Sequence, residues 1–196
     1  MTHISLAPQD QLGDLEAFAK EAYDSMGYIP NTVLAMAHRP EIARGYLTLV
    51  GNIMHNTTIE PALITMIAQV ASTAAGCRYC QAHAAQISNT FGTDADKVAA
   101  VWDFETDSRF SAAERAALRL ARDGALVPNC VTAEHFTELR QHFDEGQIVE
   151  IVASIALMGF LNRWNDTLAM ELEQIPLDFA SRHLHGWSPG RHAPVA

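Results

Sequence analysis

Apolar residues recur along almost the whole of this chain at three- and four-residue spacing, and no segment sustains one-by-one alternation. The first period places them on one face of a helix, whereas a half-buried strand needs the second. The fold class is therefore read as all-α. Leu12, Leu15, Phe18, Ala19 and Ala22 line one face of a helix over Asp10 to Met26, broken by Gly27 and Pro30-Asn31. A short helix, Thr32 to Ala37, stops before Pro40, which opens the next, running to about Met54. Thr57-Thr58 and Pro61 start a helix carrying Leu63, Met66, Ile67 and Val70, and Gly76 ends it.

A helix from about Tyr79 to Thr90 ends at Gly92, and Asp94 or Thr93 caps one that reaches Trp102. Ser111-Ala-Ala-Glu114 and Asp144-Glu-Gly-Gln147 are capping-box starts for helices over 111–123 and 145–170. Between them Thr132 caps a helix to Phe143. Residues 1–173 are thus one helical domain. Residues 174–196, with three prolines and two glycines, read as an arm wrapping the surface or a neighbouring subunit. Ile59–Ala71 and Phe110–Arg122 are alike enough for a weak internal duplication, though a shared amphipathic pattern gives the same likeness.

The 196 residues are 48% hydrophobic and 18% charged, enough for a substantial core. Acidic residues outnumber basic ones 23 to 13, for a formal charge of -10. That balance argues against nucleic acid or an anionic membrane as partner, since neither polyanion attracts such a surface. The start, Met1-Thr-His-Ile, lacks a basic stretch followed by an apolar run. The most apolar window, Ile148 to Leu161, falls short of the roughly 20 residues of a membrane span, so a core helix is expected. A cytosolic protein is the expectation.

The sharpest signal is Gly76-Cys77-Arg78-Tyr79-Cys80-Gln81-Ala82-His83. Cysteines three apart at a helix start lie on one side of its first turn. The free N–H groups there favour a thiolate. His83, one turn after Cys80, is placed to stabilise that thiolate or to take its proton. One sulfur can attack an O–O or S–S bond and the other close a disulfide. The same residues are three of the four ligands of a zinc site, which Cys130 or His135 would have to complete. Two inert buried cysteines are the bland alternative.

Ile59-Glu-Pro-Ala-Leu-Ile-Thr-Met-Ile-Ala-Gln-Val-Ala-Ser followed by Ala75-Gly-Cys-Arg-Tyr-Cys-Gln-Ala-His resembles the core of the carboxymuconolactone decarboxylase/AhpD-like family, in its peroxidase-related branch. Ile29-Pro-Asn, Ala37-His-Arg-Pro, Phe110-Ser-Ala-Ala-Glu-Arg and Leu161-Asn-Arg-Trp-Asn-Asp extend the likeness over about residues 28–172. The resemblance implies an AhpD-like all-helical fold, a homo-oligomer (trimer, hexamer or dimer) and no cofactor. It implies an antioxidant thiol peroxidase in which Cys80 attacks a hydroperoxide and Cys77 resolves it. A dithiol donor, lipoyl or thioredoxin-like, would reduce the disulfide. Two positions depart from the pattern. The relay glutamate position holds Thr65, and the relay histidine position holds Ala84, one step beyond His83.

Cys77, Cys80 and His83 are therefore the expected catalytic residues of an enzyme that reduces a hydroperoxide or a disulfide. A lactone decarboxylase on the same scaffold is the alternative, as is a non-enzymatic oligomer that senses oxidants or holds zinc. His55 is a second relay candidate. Glu150, in the most apolar helix, is expected to pair with Arg163. Asn162-Arg163-Trp164-Asn165-Asp166 either ties helix ends together or lines the pocket near the cysteines. Cys130 reads as a spectator thiol, and His183, His185 and His192 as a weak metal-binding group or, in preference, as tail residues in solvent.

Overall fold

The structure, a computed structural model, describes residues 2–54 and 56–194. His55, one of the relay candidates, lies outside the described residues. Ten α-helices and no strands are present among them: α1 (Glu16–Met26), α2 (Asn31–Met36), α3 (Pro40–Met54), α4 (Pro61–Ala75), α5 (Arg78–Thr90), α6 (Ala95–Ala99), α7 (Ala112–Gly124), α8 (Ala133–Leu139), α9 (Glu145–Leu168) and α10 (Gln174–His183).

Helix α4 is the hub. Leu63, Ile64, Met66, Ile67, Val70 and Ala71 are buried around its circumference, as befits a helix apolar on every side. It packs against α5, α7 and α9. The main core joins it to Leu118 and Leu120 of α7, Ile148 and Ile151 of α9, and the rings of Phe104 and Phe110. A second core gathers Cys77, Tyr79, Cys80 and Ala82 with Met158, Met170, Leu172 and Ala180. The N-terminal segment adds a third around Leu12, Leu15, Leu34 and Met36. The two similar stretches are α4 and α7, which lie against each other.

The local signals hold where caps and breakers are explicit. Ser111 and Glu114 form a reciprocal capping box on α7, as do Asp144 and Gln147 on α9. Elsewhere the ends differ. Gly13 takes φ 57°, so residues 9–15 form two 3₁₀ turns and α1 begins only at Glu16. Helix α8 stops at Leu139, short of Phe143. The stretch expected as an arm contains α10, packed on α5. Pro176 is no obstacle there, because first-turn residues have no intrahelical N–H partner to lose.

By length and composition α9 could cross a membrane. Its Ile148, Ile151, Ile155 and Leu157 instead join the main core against α4 and α7. Glu150 does not pair with Arg163. Its carboxylate accepts hydrogen bonds from the Thr57 hydroxyl (2.7 Å), the Thr58 hydroxyl (3.1 Å) and the backbone N–H of Thr58 and Ile59, tying α9 to the loop that enters α4. Arg163 donates to the Gly159 carbonyl.

Candidate active site

The two cysteines owe their placement to a tight helix-to-helix turn. Gly76, at φ 81°, lies just past α4; its N–H bonds the Thr73 carbonyl while the Cys77 N–H bonds that of Ser72, both at 3.1 Å. This doubly bonded helix end needs the left-handed conformation that glycine adopts without penalty. The chain reverses, and Cys77 becomes the N-cap of α5. Cys80 follows within the first turn. Both are free thiols and both are buried.

Their surroundings differ. Cys77 faces the Cys80 thiol and backbone N–H, and His192. A hydrogen bond from Cys80 lowers its pKa most; burial opposes this, and His192 adds to the lowering, so Cys77 is held down to about 6 from an ordinary 9.0. Cys80 is pushed well above the usual thiol range, first by burial and then by its hydrogen bond to Cys77 and that sulfur's charge. Its further partner is the Asn165 amide, which donates to Cys80 Sγ at 3.3 Å while accepting from the Thr32 hydroxyl at 2.7 Å. The interactions that favour a thiolate thus converge on Cys77, and those that disfavour one on Cys80.

His192 is the unexpected member. It sits in a 3₁₀ turn, Gly190–His192, and is 1% exposed rather than in solvent. The Leu172 N–H bonds the His192 carbonyl at 2.9 Å, and Arg191 bonds the Asp166 carbonyl, fastening the turn to the end of α9. The ring donates from Nδ1 to the Met170 carbonyl at 2.7 Å, and Nε2 lies 2.9 Å from Asp166 Oδ1. Both nitrogens face acceptors, which suits an imidazolium. Burial lowers the pKa of His192, but Cys77, the Met170 carbonyl and Asp166 outweigh it and raise the value. Ligand atoms of Cys77, Asp166 and His192 all lie within 4.8 Å of one another.

His83 is turned elsewhere. Its Nε2 lies 2.7 Å from Glu173 Oε2, its Nδ1 3.4 Å from the Tyr28 hydroxyl, and its ring stacks on Tyr79. The expectation that His83 serves a thiolate directly is corrected on this point: its ring nitrogens address Glu173 and Tyr28, and the histidine facing Cys77 is His192. Glu173 also accepts from the Tyr79 hydroxyl at 2.9 Å and from the Asn31 N–H. Burial pushes its carboxyl up, yet the charge and hydrogen bond of His83 and the Asn31 N–H hold it below the usual range.

Thr65, at the expected relay-glutamate position, bonds back to the Pro61 and Ala62 carbonyls. Of the polar run 162–166, Asn165 and Asp166 meet the cysteine pair. Cys130 is exposed, His135 pairs with Asp123, and His183 packs on Phe179, so none of them joins the thiols. His192, Asp166, Asn165 and Glu173 carried little sequence signal. Only the polar character of 162–166 at the end of an apolar helix pointed to two of them.

Comparison with known proteins agrees with this architecture. Residues 40–123, which run from the start of α3 into the last turn of α7 and include Cys77 and Cys80, match the carboxymuconolactone decarboxylase family. The crystal structure of the apo debrominase Bmp8 is 32% identical, covers 92% of this chain and 97% of its own, and superposes with a TM-score of 0.86. This chain belongs to the carboxymuconolactone decarboxylase/AhpD-like family. A cysteine-to-alanine variant of Bmp8 in complex with 2,3,4-tribromopyrrole is 31% identical over 93% of this chain and 97% of its own, with a TM-score of 0.87. The AhpD-core, peroxidase-related protein from Ralstonia eutropha JMP134 shares the fold at 23% identity, a TM-score of 0.80, and coverage of 91% of this chain and 94% of its own. No curated protein matches the chain. Members of the family thus carry more than one chemistry on one helical scaffold.

Proposed function

We propose that this family member is a thiol oxidoreductase that reduces a small electrophilic substrate by cycling Cys77 and Cys80 between dithiol and disulfide. Cys77 attacks and Cys80 resolves, the reverse of the order carried by the resemblance to AhpD-type peroxidases. The carrying observation is the asymmetry of the two sulfurs: Cys77 caps the N-terminus of α5 and lies within 4.8 Å of the ligand atoms of His192 and Asp166, whereas Cys80 is buried beside the neutral Asn165 amide. A thiolate is the better nucleophile, and a thiol next to it is placed to close the disulfide.

With a hydroperoxide, Cys77 takes the distal oxygen, the O–O bond breaks, and the departing alkoxide accepts a proton from the His192 side. The Cys80 sulfur then displaces water from the Cys77 sulfenic acid. A second substrate class is favoured by the higher identity to the debrominase. There, Cys77 takes bromine from carbon, the ring carbon gains a proton, and bromide leaves as Cys80 closes the disulfide. Either way two thiols lose two electrons, and a dithiol donor, lipoyl or thioredoxin-like, restores them.

An apolar cover supports small substrates. Leu6, Trp164, Leu168, Leu184 and Trp187 pack over the core that holds the thiols. The indole N–H groups of Trp164 and Trp187 are buried without a partner among the described residues. The expected homo-oligomer is assigned to the outer face of α9. There Val149, Val152 and Phe160 are exposed beside an apolar groove of about 970 Å³. A second copy would cover them.

Free-thiol counting with intact mass on the reduced protein tests the reading, before and after one equivalent of cumene hydroperoxide or of 2,3,4-tribromopyrrole. Loss of two thiols and about 2 Da with formation of alcohol, or of dibromopyrrole and bromide, is expected, the 2 Da being the two hydrogens removed as a disulfide forms. Three surviving thiols with both reagents would refute it and bring back the decarboxylase alternative.

A further inference from the structure

We propose that the reduced site is also a Zn²⁺ site, with Cys77, Asp166 and His192 as protein ligands and Cys80 or a water in the fourth position, and that zinc occupancy and disulfide formation exclude one another. Sequence reasoning weighs a different zinc set, Cys77, Cys80 and His83. The structure withdraws His83, which is engaged by Glu173 at 2.7 Å, and supplies two ligands from distant parts of the chain.

The donor set has the chemistry zinc prefers: one sulfur, one imidazole nitrogen and one carboxylate oxygen. Their ligand atoms lie within 4.8 Å of one another. Bonds of about 2.0–2.3 Å in a tetrahedron put donors roughly 3.3–3.7 Å apart, so the trio need draw in by only about an ångström. The imidazole is already oriented. Its Nδ1–H donates to the Met170 carbonyl at 2.7 Å, which leaves Nε2 for the metal. An outer carbonyl on the far nitrogen is the usual support for a metal-bound histidine.

Charge and access agree. Bound Zn²⁺ takes the place of the His192 Nε2 proton, which passes to solvent, and its charge is balanced by the Cys77 thiolate and the Asp166 carboxylate. Cys77 and His192 are fully buried, but the Asp166 side chain is 33% exposed and provides the way in. The three ligands stand on the start of α5, the end of α9 and the C-terminal 3₁₀ turn. The Leu172–His192 and Arg191–Asp166 hydrogen bonds hold the last two together. When a hydroperoxide oxidises the pair to a disulfide, yielding alcohol and water, the sulfur ligand is consumed and the ion is released. Zinc is accordingly an inhibitor of the thiol cycle. That last consequence rests on the function proposed above; the metal site itself does not.

Titration of the reduced, untagged, full-length protein with Co²⁺, followed by displacement with Zn²⁺, tests the site. Expected are a near-ultraviolet thiolate-to-cobalt band and tetrahedral visible bands that saturate at one ion per chain and are bleached by Zn²⁺. His192→Ala and Asp166→Asn should each weaken binding at least about tenfold. Cys130→Ser should leave the bands intact, and the disulfide form should show none. Circular dichroism confirms that the variants are folded; if His192→Ala is not, Asp166→Asn, which keeps the side-chain shape, decides. No thiolate-to-cobalt band in the reduced wild type, or bands unchanged by Asp166→Asn, would overturn the proposal. Thiol counting in metal-free protein reports separately on the redox reading, so either can fall while the other stands.

Discussion

His192 and Asp166 stand 26 residues apart in the chain and meet at 2.9 Å beside Cys77. The contact makes the C-terminal turn part of the site rather than a trailing tail. It predicts that Cys77 depends on the arm. Cys77 is held down to about 6, so its thiolate is present above that pH and lost as pH falls through it. Removing His192 takes away one of the lowering interactions. In His192→Ala the pH midpoint for Cys77 alkylation by iodoacetamide should move upward. At pH 7 a one-unit rise should lower the rate about twofold, because the thiolate fraction drops from about nine-tenths to about one half, and the loss should approach about tenfold at about pH 5 to 6. Peptide-resolved alkylation from pH 5 to 9 checks this. An unmoved midpoint would detach His192 from the thiol.

Glu173 carries a different load. It is 9% exposed in its side chain and serves His83, Tyr79 and Asn31 together. Glu173→Ala leaves those groups unpaired and should cost about 3–5 kcal/mol in denaturant unfolding. Its carboxyl is held below the ordinary value. Its contribution is therefore complete above the unfolded-state value of about 4.3 and disappears as pH falls through the lower native one. Acid titration of Glu173→Gln should lack that part of the wild-type loss.

Helix α9 ends on Ala169 at φ 48°, the one non-glycine residue in the left-handed region among those described. The turn presents the Met170 carbonyl to His192, and the Met170 N–H bonds the Asn165 carbonyl at 3.0 Å. A β-carbon in this conformation costs about 1 kcal/mol. Ala169→Gly should raise stability by up to that amount and leave the Cys77 alkylation profile in place. Thermal and denaturant melts measure it; a clear loss would contradict the strain.

The exposed face of α9 predicts association. Light scattering should return a multiple of 21.5 kDa for the wild type and a smaller species for Val152→Asp combined with Phe160→Glu. A wild-type monomer at tens of micromolar would remove the assigned interface.

Much of the fold was legible because its signals are local. Pro40 and Met54 bound α3 where the sequence predicted, and Ser111 with Glu114 marked the start of α7. The turn that builds the cysteine pair was legible too, in Gly76 and the spacing of Cys77 and Cys80. What failed was long-range. No periodicity announces that residues 77, 166 and 192 converge, or that Glu173 draws His83 away from the thiols at one step's rotation from the usual relay position. Glu150 was misread because a carboxylate in an apolar helix suggests a buried guanidinium pair, whereas this one is only half-buried and is satisfied by backbone N–H groups and threonine hydroxyls. Helix α10 was missed because proline weighs against a helix unless its position in the first turn is known.

The order of the two sulfurs is the centre of the account, and single-turnover trapping tests it most directly. Cys77→Ser and Cys80→Ser are each mixed with one equivalent of cumene hydroperoxide and, separately, 2,3,4-tribromopyrrole, then quenched with a sulfenic-acid trap and mapped by mass spectrometry. The account predicts that Cys80→Ser still reacts and accumulates a trapped Cys77 sulfenic acid with the peroxide or releases bromide with the pyrrole, while Cys77→Ser is inert. A reactive Cys77→Ser carrying its adduct on Cys80, beside an inert Cys80→Ser, would contradict it.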